Sequence, residues 1–115
     1  MSEFKKQYPF DKRVVVANNI LTKYPMRLPV ILDKAPNTLH TCTKVKFLVP
    51  NDISVGALIQ YFKKYMPTLD ARDSIFLFVG DVIPPTSSSI LTIYNKYKDD
   101  DGFLYVTYSG ENSFG

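Results

Sequence analysis

Tryptophan is missing from this chain, and cysteine and histidine occur once each, as Cys42 and His40. A single thiol excludes an internal disulfide and a cysteine-based zinc cluster. The two residues would share a face of a strand, but a thiol nucleophile also needs an orienting group and a shaped site, so an ordinary loop thiol is expected. No phosphate-cradling glycine loop and no HExxH pair occurs. Asp99, Asp100 and Asp101 adjoin, yet the following GFLYV lacks the alternating oxygen ligands and closing Glu of a calcium loop, which leaves a solvated turn. No metal, cofactor or catalytic group is therefore expected. No apolar run approaches the roughly 20 residues of a membrane span, and MSEFKKQYPF is not a signal peptide, so the chain is expected to be cytoplasmic.

What is present is enough for one ordinary domain. The 115 residues are 45% hydrophobic, with eight Phe and eight Tyr in place of Trp, a composition that folds rather than remaining disordered. The net charge of +3 conceals an asymmetry: through Lys64 there are eleven basic residues against four acidic, and from Tyr65 onward three against seven. A basic front half suits nucleic acid, anionic lipid or an acidic peptide, or is simply a solvated lysine face. Without an RNA-stacking signature or zinc-finger spacing, no nucleic-acid partner is expected.

Along the chain, Phe10, Val14, Ala17, Leu21 and Tyr24 recur at helical spacing between Pro9 and Pro25. The run Val14-Val15-Val16 opposes that, because β-branched side chains lose rotamer freedom in a helix; the spacing nevertheless predicts a helix over 10–24. Leu28 to Leu32 and Lys44 to Val49 read as two strands of an antiparallel hairpin. In the second, Val45, Phe47 and Val49 point one way and Lys44, Lys46 and Leu48 the other, so both faces carry apolar residues. Core burial and recognition on each side account for this equally well. Ser54 can cap a helix carrying Val55, Leu58, Ile59 and Phe62. A strand over 74–79 stops at Gly80, and Ile90, Ile93, Tyr94 and Tyr97 mark a second amphipathic helix begun by a serine and followed by Gly102.

The last stretch, Phe103 to Tyr108, has only Thr107 polar and reads as a strand covered on both faces, hence mid-sheet. From Ser109 the composition turns small and polar. Seven residues at the extended limit reach roughly 25 Å, making an arm that ends on a glycine; a frayed terminus is the plainer alternative. The element order predicts an α+β fold of ubiquitin-like β-grasp type: a four-stranded mixed sheet over a helix, with an added N-terminal helical segment on the other face. The expected division is a helical extension over 1–26, the ubiquitin-like domain over 27–108 and a flexible C-terminal tail over 109–115, all one globular unit.

The stretches YPFDKR, KYPMRLPVILDKAP, FLVPNDISVGALI, SIFLFVGDVIPPTSSSI and DGFLYVTYSGENSFG, in this order, resemble the autophagy-related ubiquitin-like modifiers, the family of the GABA-receptor-associated protein and the microtubule-associated light chains. The resemblance spans nearly the whole chain. It implies a protein that is a substrate and not an enzyme. Gly115 would be joined through its carboxylate to phosphatidylethanolamine by way of activating and carrier enzymes, placing the product on autophagosome-type or related organelle membranes. It also implies a processing cysteine protease that reads Phe76, Phe78 and Phe114.

A second implied role is the binding of receptor proteins through aromatic-x-x-aliphatic motifs, added as a strand beside Lys46 to Val49. By matching position the aromatic pocket would comprise Ile20, Pro29, Ile31, Lys46, Leu48 and Phe103. The aliphatic pocket would comprise Phe47, Val49, Pro50, Ile53, Leu58 and Tyr61, and Arg27, Lys44 and Lys46 would attract an acidic flank. The chain departs from the family pattern at Val16, where relatives commonly have an acid, and at Tyr65, where they have an arginine. These departures imply altered recognition of an indole or basic flank and a weaker preference for acids. The alternative to conjugation is a noncovalent peptide-docking adaptor in vesicle trafficking.

Overall fold

The computed structural model describes residues 2–36, 38–70 and 72–110. The elements, in chain order, are α1 (Glu3–Gln7), α2 (Phe10–Lys23), β1 (Arg27–Lys34), β2 (Lys46–Pro50), α3 (Val55–Lys63), β3 (Phe76–Phe78), α4 (Ile90–Tyr97) and β4 (Leu104–Ser109). The strands form one sheet in the order β2-β1-β4-β3. β1 is antiparallel to β2 and parallel to β4, and β3 is antiparallel to β4. This is the mixed four-stranded α+β arrangement expected, with β4 inside the sheet.

The register separates two apolar layers. Leu28 opposes Val49 and Val30 opposes Phe47, and directly opposed residues share a face. These four join Val55, Leu58 and Phe62 of α3, Ile90 and Ile93 of α4, and Leu104 and Val106 of β4 in the main core. Pro29 opposes Leu48 and Ile31 opposes Lys46, on the other face. There Ile31 and Phe103 meet Ala17 and Ile20 of α2, with Phe4, Val16, Leu48 and Tyr105 packed partly buried around them. One layer thus holds the crossover helices and the other the helical front.

α2 forms in spite of its valine run because Arg13, Ala17 and Ile20, at spacings of four and three, are its buried residues. Ser54 caps α3, its Oγ accepting from the Ala57 N–H at 3.1 Å. Ser89 stands at the same position of α4 but makes no side-chain cap bond. Two turns use left-handed glycines, Gly80 at φ 63° and Gly102 at φ 95°.

Two expectations need correcting. α1 was not foreseen; it is held by Ser2 Oγ donating to Asp33 at 2.9 Å, Lys5 pairing with Asp99 at 2.6 Å, and the Phe4 ring set edge-on to Phe103 at 5.1 Å. The run Asp99-Asp100-Asp101 is not simply a solvated turn, because Asp101 is 1% exposed and paired with Arg13. His40 and Cys42 lie outside any strand, in agreement with the loop thiol expected at Cys42. Tyr108 ties down that segment, its hydroxyl donating to the His40 carbonyl and accepting from the Cys42 N–H.

Candidate functional site: the open edge of β2

β2 has a neighbour on one side only. Extending its register, Leu32 opposes Val45, and the Leu32 N–H donates to the Val45 carbonyl at 2.9 Å. An antiparallel ladder alternates between bonded and non-bonded pairs. Phe47 and Val49 therefore turn their backbone groups toward β1, while Lys46 and Leu48 turn theirs to the unoccupied edge. The Leu48 carbonyl confirms the phase, since it accepts from Arg27 Nη1 at 3.3 Å. An arriving strand would find the N–H and C=O groups of Lys46 and Leu48 facing outward, the condition for strand addition.

The side chains assigned to the two pockets fall on opposite faces of this edge. Ile20, Ile31 and Phe103 are buried together, Pro29 is buried beside them, Leu48 is half-buried and Lys46 is exposed. Phe4, which the sequence did not flag, lies against Phe103 in this group. On the opposite face Phe47, Val49 and Leu58 are sealed in the main core and Ile53 and Tyr61 pack half-buried against it, whereas Pro50, the half-buried last residue of β2, has the strand parity of Leu48. The accessible part of the aliphatic set is thus its outer three members, with the inner three as their support.

The edge is ringed with cations. Arg27 stands opposite Pro50, and Lys46 opposite Ile31. The Lys44 ammonium lies 5.2 Å from the ring centre of Phe47 and 5.3 Å from that of Tyr65, so it is shared between two aromatic faces. Tyr65 itself packs edge-on to Phe47 at 5.2 Å and 6.0 Å from Tyr61. Burial pushes the Tyr61 phenol above its ordinary pKa, so it is neutral at physiological pH. An acidic peptide approaching this edge meets Arg27, Lys44 and Lys46 and no carboxylate of β2 itself.

Burial raises the Cys42 thiol, which disfavours the thiolate. His40 Nδ1 lies 2.9 Å from Thr68 Oγ1, and Nε2 lies 3.4 Å from Asp73.

Phe76 and Phe78 lie on β3, the edge of the sheet opposite β2. Phe76 opposes Ser109 and Phe78 opposes Thr107, so the chain leaves the sheet beside β3. Ser109, expected to begin the tail, is the last residue of β4. Phe114 and Gly115 lie outside the described residues.

Comparison with known proteins gives one consistent answer. The family model described as autophagy protein Atg8, ubiquitin-like, matches residues 12–115. The autophagy-related protein 8 of Dictyostelium discoideum is 50% identical over 116 residues, covering 100% of this chain and 95% of its own. Among solved structures, Trypanosoma brucei ATG8 superposes with a TM-score of 0.92 at 38% identity, covering 100% of this chain and 99% of that one. Plasmodium falciparum Atg8, in complex with a Plasmodium falciparum Atg3 peptide, superposes with a TM-score of 0.85 at 32% identity, covering 98% and 99%.

Proposed function

The chain belongs to the Atg8 family of ubiquitin-like autophagy proteins, and from that premise we propose that it is a modifier joined through the carboxylate of Gly115 to phosphatidylethanolamine, and that its β2 edge holds receptor proteins carrying aromatic-x-x-aliphatic motifs. The observation that carries the docking half is the outward phase of Lys46 and Leu48, set between an aromatic and an aliphatic group of side chains. The parity agrees with the motif. Residues three apart on an extended strand point to opposite faces, as the two groups do. The Plasmodium relative bound to a peptide gives this half further support.

For conjugation the chain is the substrate throughout. Its carboxylate displaces pyrophosphate from ATP to form an acyl-adenylate; a cysteine thiolate of the activating enzyme displaces AMP. A carrier-enzyme thiolate then takes the acyl group by exchange, and the lipid amine releases that thiol to leave an amide. Each attack needs an unhindered acyl carbon, and glycine presents one without a side chain. The attached lipid brings two acyl chains, and at about 0.8 kcal/mol per buried CH2 two suffice for stable anchoring where one is marginal. A processing cysteine protease would approach the tail beside Phe76 and Phe78, where β4 leaves the sheet, and read Phe114 next to the scissile bond.

Intact-mass measurement on protein recovered from cell membranes tests the conjugation half. A phospholipid adduct on the terminal peptide is expected, and Gly115→Ala should abolish both the adduct and the membrane-bound fraction. A membrane fraction that persists in Gly115→Ala without an adduct would reject the covalent anchor and leave the noncovalent adaptor.

A further inference from the structure

The basic front half of the chain is matched by an acidic back half, with three basic residues against seven acidic from Tyr65 onward, and a hollow of about 410 Å3 lies among those acids. That volume is at the low end for small-ligand pockets. It opens beside the turn that follows β3, at the sheet edge away from β2; Lys5 of α1 reaches it, as does Tyr105, which opposes Ile31 and so stands on the α2 face. Val79 and Val82 bond one another across the turn through both backbone groups, at 2.8 and 3.1 Å, with Gly80 at φ 63°, and this short hairpin presents Asp81 to the hollow. One end already holds a cation. The Lys5 ammonium lies 2.6 Å from Asp99 Oδ1 and 4.7 Å from the centre of the Tyr105 ring. Tyr105 offers only its ring, because its hydroxyl donates to Asp101, and the second Asp99 oxygen accepts from the Asp101 N–H at 3.1 Å. The other end repeats the pairing of a carboxylate with a ring, in Asp81 and Tyr97. Tyr97 draws the Lys96 ammonium to 5.3 Å from its ring centre, whereas Asp81 has no side-chain hydrogen bond or ion pair among the described residues.

We propose that this second end receives an arginine side chain of a partner protein, its guanidinium paired with Asp81 and its stem laid on Val82 and the tyrosine rings. Two features select arginine over lysine. The walls are valine and tyrosine, Val82 being 44% exposed and available for contact; a guanidinium is less strongly hydrated than an ammonium and stacks on aromatic faces. Its planar fork also meets both oxygens of one carboxylate at once, and both oxygens of Asp81 are open. A small hydrated cation would gain nothing from such walls. Lys5 is the resident competitor, since its charge opposes a second cation and it occupies Asp99. The sheet order places β3 three strands from β2, roughly 14 Å at the usual strand spacing, so an arginine can be held here while a peptide occupies the β2 edge.

The test is amide NMR titration of the purified full chain with three capped tripeptides, Ala-Arg-Ala, Ala-citrulline-Ala and Ala-Lys-Ala; citrulline has the shape of arginine without its charge. The arginine peptide should shift the Gly80, Asp81 and Val82 amides. It should bind at least fivefold more tightly than the citrulline peptide and about threefold more tightly than the lysine peptide. Asp81→Asn, an exposed change in a turn, should weaken the arginine peptide at least fivefold. Lys5→Met, which frees an Asp99 oxygen, should strengthen it about twofold. A Trp-x-x-Leu peptide added to saturation should leave the arginine titration unchanged. Arginine binding that is matched by citrulline or by lysine, unaffected by Asp81→Asn, weakened by Lys5→Met or displaced by the Trp-x-x-Leu peptide would in each case overturn the assignment.

Discussion

Arg13 on α2 donates from Nη1 to Oδ2 of Asp101 at 2.6 Å, joining residues 88 apart in the chain, with the two side chains 10% and 0% exposed. Asp101 also accepts from the Phe103 N–H at 2.8 Å and from the Tyr105 hydroxyl at 2.5 Å. Burial, with the hydrogen bond to Asp101, pushes the Tyr105 phenol far above its ordinary pKa and keeps it a donor. One carboxylate therefore anchors the helical front to the start of β4, the strand that carries Phe103 into the aromatic group.

Removing one partner of such a pair strands the other charge. Arg13→Met is expected to cost about 3–5 kcal/mol in urea unfolding. Adding Asp101→Asn, which keeps an acceptor for the Phe103 N–H, presents an amide N–H to the Tyr105 oxygen and removes the unpaired charge, should recover a good part of that loss. A double variant no more stable than Arg13→Met would show that the charge is not the cause.

The two left-handed glycines should differ in their tolerance of a side chain. A Cβ on Gly80 would meet nothing within 4 Å, whereas one on Gly102 would lie 2.9 Å from the Ala17 Cβ. Gly80→Ala should cost about 1 kcal/mol, the backbone strain alone, and Gly102→Ala about 2–4 kcal/mol by thermal unfolding. Ala17→Gly in the Gly102→Ala background should relieve the contact and leave the strain. Equal losses at the two glycines would mean that α2 yields freely at Ala17.

These dependencies mark where the sequence was legible. α4 matched its expected bounds because Ile90, Ile93, Tyr94 and Tyr97 carry the helical period within the segment itself. α1 escaped because five residues ahead of Pro9 cannot display a period, and its contacts, Phe4 on Phe103 and Lys5 on Asp99, reach the far end of the chain. Asp101 was misjudged for the same reason: nothing near DDD in sequence announces an arginine 88 residues earlier. β1 runs past its expected end at Leu32 because Asp33 and Lys34 pair with Thr107 and Tyr108. β3 starts later than expected because its neighbour β4 ends at Ser109, and it stops at Phe78 because Val79 bonds Val82 instead. The faces of the β2 edge were legible from alternation, but which backbone groups point outward required the register with β1.

The Lys5–Asp99 contact should be visible as acid sensitivity. Burial alone would raise the Asp99 carboxyl, but bonds from Lys5 and the Asp101 N–H outweigh it and leave the group below its ordinary pKa. A carboxyl depressed in the folded state adds stability above its unfolded pKa of about 4, and that stability is lost as pH falls through the lower folded value. Lys5→Met should thus cost about 0.5–1 kcal/mol near neutral pH and almost nothing well below pH 4. A cost independent of pH would assign the effect to the Lys5 ammonium lying 4.7 Å from the centre of the Tyr105 ring.

Adjacent residues of β2 should separate binding from folding. Leu48 is half-buried at the edge of the aromatic group, while Phe47 is 0% exposed and touches Phe62, Tyr61 and Tyr65 in the main core. Phe47→Ala should cost about 3–5 kcal/mol of stability, so any affinity it loses reports a damaged fold. Lys46→Ala with Leu48→Ala removes an exposed cation and a partly solvated side chain, and should lower stability by no more than about 1 kcal/mol while weakening a Trp-x-x-Leu peptide at least tenfold. The two measurements must be made on the same preparation, thermal unfolding beside anisotropy, because only their ratio distinguishes a recognition surface from a core that faces outward. If the Lys46→Ala/Leu48→Ala protein bound the peptide as well as the parent, the β2 edge would no longer account for docking, whatever the geometry of its backbone groups.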